Sequence, residues 1–230
     1  MRKHKVYTGQ GLVDQYDHRH FGGSGGQYVF QKDYEALESL IGTSRGLLLD
    51  IPCGTGVYSE VFEEKGDSVI AADASTPMLE KTGRRQGNIP RVLCDINRLP
   101  MKDEVFDAVM TVRLFQHLPE DNVARILLEL RRVTRLSGCV VFDTFRWSPR
   151  RMRFFKRVFK GEMYIYSHRN VERMLEKAGL RKAQMISLYL FSPMMYRRMP
   201  VWFLRVLDVV EKIVPQRWLL RTLWACKGIE

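Results

Sequence analysis

Residues 47–60 read LLLDIPCGTGVYSE, an apolar run that ends in an aspartate and passes directly into a glycine-bearing turn. The run GLLLDI predicts a buried strand, and Val57 to Lys65 predict a helix after the turn. In doubly wound folds, such a turn presents backbone N–H groups to a small ligand at the carboxyl edge of a parallel sheet. The letters GTGVYS nearly fit the G-x-G-x-x-G pattern of dinucleotide sites, with Ser59 in the last place. A nucleotide-type site and a purely structural turn are both open at this point.

Apolar strands and helices alternate beyond this turn. Strands are predicted at DSVIAAD, RVLCDI, FDAVMTV and CVVFDTF, with helices opening at Thr76-Pro77 and spanning Glu120 to Arg135. Two late strands, AQMISLYLF and RWLLRTLWACK, lack a crossover of this type and indicate an antiparallel pair at one edge. The prediction is an α/β fold with a doubly wound, mostly parallel seven-stranded sheet and an antiparallel edge hairpin.

The domain organisation follows from length and composition. A chain of 230 residues with an apolar fraction of 45% suits a single domain over residues 1–230. Residues 1–26 are polar and glycine-rich and are interpreted as a flexible N-terminal arm, before a helix at about 27–41. The segment 146–166 is interpreted as a lid insertion, and a helix over 200–215 is expected between the last two strands.

The charge balance is basic, with 37 Lys and Arg against 26 Asp and Glu and a net charge of +11. This favours nucleic acid, anionic lipid or an acidic substrate as a partner, although a plain basic surface also fits. The four cysteines form no C-x-x-C pair, and no secretory signal or apolar span is recognised, so a cytoplasmic location is expected. His18 and His20 lack a third ligand at a matching spacing, and no metal site is predicted.

Two carboxylates follow successive strands. Asp73 ends the second strand, from which a carboxylate can accept both hydroxyl hydrogens of a ribose. Asp95 ends the third strand and opens the stretch DINRLPMKDEVFDAVMTVRLFQHLP, which runs to His117 and Leu-Pro. Together with the glycine turn, this set resembles the class I S-adenosylmethionine-dependent methyltransferases over roughly residues 45–145, especially the group that includes the quinone-biosynthesis C-methyltransferases. The resemblance implies a Rossmann-like methyltransferase fold with S-adenosylmethionine as its cofactor.

The resemblance also implies residue roles. The cofactor-binding positions surround the methionine part, the ribose, the adenine and the sulfonium end; they are Asp50, Pro52, Gly54, Gly56, Asp73, Ala74, Asp95, Ile96 and Val112. Pro52 departs from the family, which usually has glycine there. Proline fixes φ near −65° and donates no N–H, so the site is expected to survive with a stiffer turn.

The acceptor side is less specific. Methyl transfer from a sulfonium is an in-line displacement, for which the protein supplies alignment and a dry pocket. The candidate catalytic residues are His117, Arg113 and Tyr16, with Asp17 and His20 also close to the expected methyl position.

The predicted function is a methyltransferase for a small, lipophilic acceptor, reached at a membrane surface. A helix over 149–160 has one basic and one aromatic face, and VWFLRVLDVVEKIV keeps its four charges on one stripe. An RNA or protein methyltransferase is the alternative enzyme, and a non-catalytic cofactor-binding or partner-binding domain is the alternative outside catalysis. A subunit interface in a homodimer would also cover the apolar face of the second helix.

Overall fold

Seven strands build the sheet in the part of the chain that the structure describes. The computed structural model describes Val13 and residues 16–42, 46–85, 87–146 and 163–229. The strands, in chain order, are β1 Leu47–Asp50, β2 Ser68–Asp73, β3 Arg91–Leu93, β4 Phe106–Thr111, β5 Thr134–Phe145, β6 Leu180–Leu188 and β7 Arg221–Gly228.

The strands lie in the order β3-β2-β1-β4-β5-β7-β6. Strands β1 to β5 pair with one another in parallel, whereas β7 is antiparallel to both β5 and β6. The doubly wound, mostly parallel seven-stranded sheet with an antiparallel edge hairpin is therefore confirmed.

Helices cover both faces of this sheet. They are α1 Tyr16–Phe21, α2 Gly23–Ile41, α3 Val57–Glu64, α4 Thr76–Arg85, α5 Glu120–Val133, α6 His168–Lys177, α7 Pro193–Tyr196 and α8 Val201–Ile213. Neighbouring strand residues point to opposite faces, so Leu48 packs in the core beneath α2, α3 and α8, and Leu49 in the core beneath α5 and α6. This two-sided burial explains why the strands are continuous apolar runs.

The helix expected at about residue 27 begins earlier, at Gly23, so three of the four glycines in GGSGG, residues 22–26, lie in its first turns. A Cβ on Gly25 would lie 2.6 Å from the Arg197 carbonyl oxygen, and one on Gly26 would lie 2.6 Å from the Phe21 carbonyl carbon. These two glycines thus let α2 pack closely against the backbone of residues 21 and 197. Glycines that serve close packing and glycines of a flexible linker look alike in a sequence.

Helix α8 lies in chain order between β6 and β7, within the range expected for it. The predicted basic helix at 149–160, together with most of the lid segment, lies outside the described residues. Within the described ranges, no helix has the length and apolar character needed to cross a bilayer.

Candidate functional site

The glycine turn after β1 has two positions in the left-handed backbone region. Gly54 has φ 57° and Gly56 has φ 75°, values that strain any residue with a Cβ. A Cβ on Gly56 would also lie 2.5 Å from Thr82 Cγ2, whereas no described heavy atom lies within 4 Å of a Cβ built on Gly54. Gly56 therefore allows α3 and α4 to approach, and Gly54 leaves open space beside the backbone, as a ligand cradle requires.

Pro52 does not prevent this turn from forming. The Ile51–Pro52 peptide bond is cis, and the N–H of the next residue, Cys53, donates to the Ala72 carbonyl oxygen at 2.8 Å. The backbone after β1 is thereby tied to β2, where Asp73 follows.

Asp73 is fixed directly against the turn. One of its carboxylate oxygens accepts the Gly54 N–H at 2.9 Å, and the other accepts the Ser75 N–H at 2.9 Å. The residue is only 8% exposed. A carboxylate at the end of the second strand of such a fold is placed to accept ribose hydroxyls. The structure thus brings Asp73 and Gly54 together as the sequence predicted, with Ala74 next in the chain.

Asp50 lies beneath the turn and is buried. Its carboxylate accepts the Ser59 hydroxyl at 2.6 Å, which holds the end of β1 against α3. Burial raises the pKa of Asp50 to about 7; the hydrogen bond from Ser59 opposes this shift, and the nearby charge of Asp73 adds to it. Asp50 therefore supports the turn from below, and Ser59 is the partner that the motif alone did not identify.

The predicted adenine side lies in the turn after β3. Strand β3 ends at Leu93, so Asp95 follows the strand rather than ending it. Asp95 is exposed, and one of its carboxylate oxygens accepts the Asn97 N–H at 2.9 Å and the Asn97 side-chain N–H at 2.7 Å. Ile96 is buried beside it. The turn thus presents one polar and one apolar side chain near the end of β2.

Arg113 follows the buried Val112 at the carboxyl end of β4. Its φ of 63° is a left-handed value, and its backbone N–H donates to an Asp143 carboxylate oxygen at 2.6 Å. Its guanidinium donates to Asp33 at 3.0 Å and lies 4.9 Å from the Phe21 ring centroid. Arg113 thus connects β4 and β5 to α1 and α2.

Asp33 is the centre of a buried polar network that the sequence analysis did not identify. Its carboxylate accepts the Arg221 guanidinium at 2.6 Å, and Arg221 also donates to Asp143 at 2.7 Å. The hydroxyls of Tyr58 and Tyr189 donate to the same carboxylate at 3.0 and 2.7 Å. Burial would raise the pKa of Asp33, but Arg221 and Arg113 outweigh it and lower that pKa.

The three proposed catalytic side chains have different surroundings. Burial opposes the charge of Arg113, but Tyr58 and Asp33 outweigh it and raise its pKa, so Arg113 stays protonated. Tyr16 is half-buried and lies close enough to affect the pKa of Arg113. His117 ends a short 3-10 turn, and its Nε2 lies 3.2 Å from Gln116 Nε2. A catalytic role for each of them stays a prediction.

Helix α1 is fastened onto the glycine turn through Asp17. The Thr55 hydroxyl donates to Asp17 at 2.5 Å, and Lys81 and Arg85 of α4 pair with it at 3.0 and 2.6 Å. Burial raises the pKa of Asp17, but these three partners outweigh burial and lower it. Asp17, which the sequence suggested as a candidate near the acceptor, therefore anchors helix α1 to the glycine turn and to α4.

The sequence and the fold of this chain are similar to those of known proteins. The family model described as "Methyltransferase domain" matches residues 49–142. A malonyl-[acyl-carrier protein] O-methyltransferase from Hamiltonella defensa is 34% identical over 97 residues, which cover 42% of this chain and 37% of the relative. A demethylmenaquinone methyltransferase from Thermobifida fusca is 38% identical over 108 residues, which cover 45% of each chain. This chain thus spans less than half the length of either relative.

Among solved structures, magnesium protoporphyrin IX methyltransferase from Synechocystis PCC 6803 with bound SAH is similar with a TM-score of 0.66 and 15% identity. The alignment covers 96% of this chain and 95% of that one. At this identity, the likeness concerns the fold.

Proposed function

We propose that this chain, whose residues 49–142 match the family model described as "Methyltransferase domain", is a class I methyltransferase that binds S-adenosylmethionine and transfers its methyl group to a small, lipophilic acceptor. The main support for cofactor binding is the hydrogen bond from the Gly54 N–H to the Asp73 carboxylate, 2.9 Å long, beside open space in the turn. The solved methyltransferase of the same fold holds SAH, the demethylated cofactor.

The cofactor, when bound, supplies an electrophilic methyl group on a sulfonium. In this proposal, Asp73 accepts the ribose hydroxyls, Gly54 and Gly56 shape the turn around the methionine part, and Asp95 with Ile96 flanks the adenine. Helix α1, held by Asp17, covers the turn and excludes water from it. The protein contributes alignment and desolvation rather than a new reactive group.

Aromatic side chains beside Arg113 support an apolar acceptor. The Phe21 ring lies 5.5 Å from the Phe30 ring and 6.3 Å from the Tyr58 ring, measured between centroids. Rings of this size offer a large apolar surface against which an acceptor loses contact with water. Protonated Arg113 would orient the acceptor, and His117 or Tyr16 would take up a proton if the acceptor atom carries one.

The positive net charge of the chain supports a reaction at a membrane surface. With a net charge of +11, a cytoplasmic enzyme is attracted to the anionic inner surface of a membrane, where a lipophilic acceptor collects. RNA, protein and a second subunit are the competing partners.

The experiment that tests the proposal follows labelled methyl groups. The full chain is incubated with methyl-labelled S-adenosylmethionine and a cell extract, which is then separated into lipid, RNA and protein fractions. We expect label in the lipid fraction, and roughly tenfold to a hundredfold less label with Asp73→Ala when the cofactor is not saturating. Label in the RNA or protein fraction would show that the acceptor is RNA or protein and not a lipophilic molecule. No label in any fraction would favour a non-catalytic domain.

A further inference from the structure

Helix α8 exposes an apolar stripe that no described part of the chain covers. Trp202, Val206, Val209 and Ile213 are 68%, 50%, 62% and 77% exposed. Their spacing of four, three and four residues places them on one side of the helix. The opposite side packs on the domain through Leu204 and Leu207, which are buried. Four large apolar side chains on one exposed helix face are unusual for a surface that meets only water.

The charges of α8 are divided between its two sides. The sequence placed all four on one stripe, but Lys32 of α2 draws both acids inward, pairing with Asp208 at 2.5 Å and with Glu211 at 2.7 Å. Glu211 is buried and also accepts the Leu190 N–H at 2.9 Å. The bases, Arg205 and Lys212, are exposed. The outward side of the helix is therefore apolar and cationic, and both carboxylates of the helix pair with Lys32, Glu211 beneath the helix and Asp208 at its border.

The residues next to α8 continue this composition. Phe191, Met195 and Trp218 are exposed apolar side chains, and Arg198 and Arg217 are exposed bases. Over residues 191–218, the sequence has five Lys and Arg but only two acids, the pair held by Lys32.

We propose that α8 and its flanks dock on the surface of an anionic lipid bilayer. Tryptophan and aliphatic side chains enter the boundary between headgroups and acyl chains, and Lys and Arg beside them pair with anionic headgroups. RNA would use the charge but not the exposed Ile213 and Val209. In a symmetric contact between two copies of this face, the flanking bases Arg205 and Lys212 of one copy would meet the same bases of the other, whereas both acids of the helix already pair with Lys32. The purpose of this docking rests on the proposed function, because a lipophilic acceptor would be reached in the membrane.

The test is flotation of the full chain with vesicles, and it does not depend on methyl transfer. Phosphatidylcholine vesicles with and without phosphatidylglycerol are used at low and at high salt. The wild type is expected to float with the anionic vesicles, more strongly at low salt, because salt screens the basic residues but not the apolar insertion.

Two double variants separate the contributions. Trp202→Ser with Val209→Ser should lower binding at least about tenfold at both salt concentrations. Arg205→Gln with Lys212→Gln should lower it mainly at low salt. The matched controls, Leu128→Ser and Arg84→Gln with Arg125→Gln, change exposed residues of α4 and α5 and should float like the wild type.

Binding of SAH should be unchanged in all these variants, which separates failure of docking from failure of the cofactor site. Flotation of the apolar variant at the wild-type level would overturn the proposal. So would retention on RNA without flotation, or a stable dimer that the Trp202 variant dissociates and that binds no vesicles.

Discussion

At the ends of β1 and β2, polar contacts join residues close in the chain, whereas at the ends of β4 and β5 they join residues far apart. Gly54 and Asp73, which meet in the turn, are 19 positions apart, and Ser59 lies nine positions from Asp50. In the second region, Asp33 and Arg221 are 188 positions apart. The proposed cofactor side is thus assembled by neighbouring strand ends, and the proposed acceptor side by ion pairs between residues near the two ends of the chain.

The difference has a functional meaning in the proposed account. A cofactor common to many enzymes is held by backbone N–H groups and one carboxylate, which any sequence with the right turn can supply. The proposed acceptor side depends instead on side chains of α2, β5 and β7, which no common backbone motif specifies. We infer that acceptor choice resides in the second region.

The largest expected effect comes from breaking the long-range network. Asp33→Ala leaves Arg221 and Arg113 without their shared carboxylate in a buried site, which should lower the free energy of unfolding by about 3–5 kcal/mol. Urea unfolding followed by circular dichroism measures this. The control is Asp103→Ala, whose carboxylate is 73% exposed and whose loss should cost under ~1 kcal/mol. Equal stability of the two variants would mean that the network does not hold the acceptor side.

A pH effect should follow from the carboxylate beneath the turn. Burial raises the pKa of Asp50 to about 7, so the folded state binds this proton more tightly than the unfolded state. Its contribution to stability is complete below the unfolded pKa of about 4 and is lost as the pH rises through 7. The rise of the Asp50 pKa by about three units corresponds to a stabilisation of the folded state of about 4 kcal/mol, at about 1.4 kcal/mol for each unit.

Asp50→Asn should remove this contribution, so that the difference in unfolding free energy between variant and wild type varies between pH 4 and 7. Urea unfolding at a series of pH values measures the difference, with Asp103→Asn as the control. A difference that is constant with pH would contradict the buried, protonated state of Asp50.

The contact between α1 and the glycine turn should give a smaller effect. Asp17→Asn weakens the pairs with Lys81 and Arg85, which are partly exposed, so the loss should be roughly 1 kcal/mol. Trypsin should then cut the arm at Arg19 about fivefold faster. S-adenosylmethionine should slow this cut in the wild type, because helix α1, which contains Arg19, is proposed to cover the turn that holds the cofactor. Equal cutting with and without the cofactor would count against that closure.

The two regions were not equally predictable from sequence. The strands, their alternation with helices and the residues of the glycine turn follow from local patterns, because a strand end, a glycine and the next strand end lie within a few tens of residues. Asp33 lies in KDYEALESL, where a lone aspartate is typical of a solvated helix face, and its partner Arg221 lies in the last strand. Likewise, the inward turn of Glu211 depends on Lys32, which no local pattern reveals.

The most direct test of the central claim is the affinity of SAH for the wild type, Asp73→Ala and the control Asp103→Ala, measured by titration calorimetry. Loss of the hydrogen bonds to the ribose should weaken binding by about 1–3 kcal/mol, roughly tenfold to a hundredfold, in Asp73→Ala alone. Asp73 also accepts the Gly54 and Ser75 N–H groups, so its loss could disturb the turn. Circular dichroism of Asp73→Ala should therefore be recorded to check that the variant is folded. NAD should not bind to the wild type. Unchanged affinity for SAH in folded Asp73→Ala, or tight binding of NAD, would contradict the account.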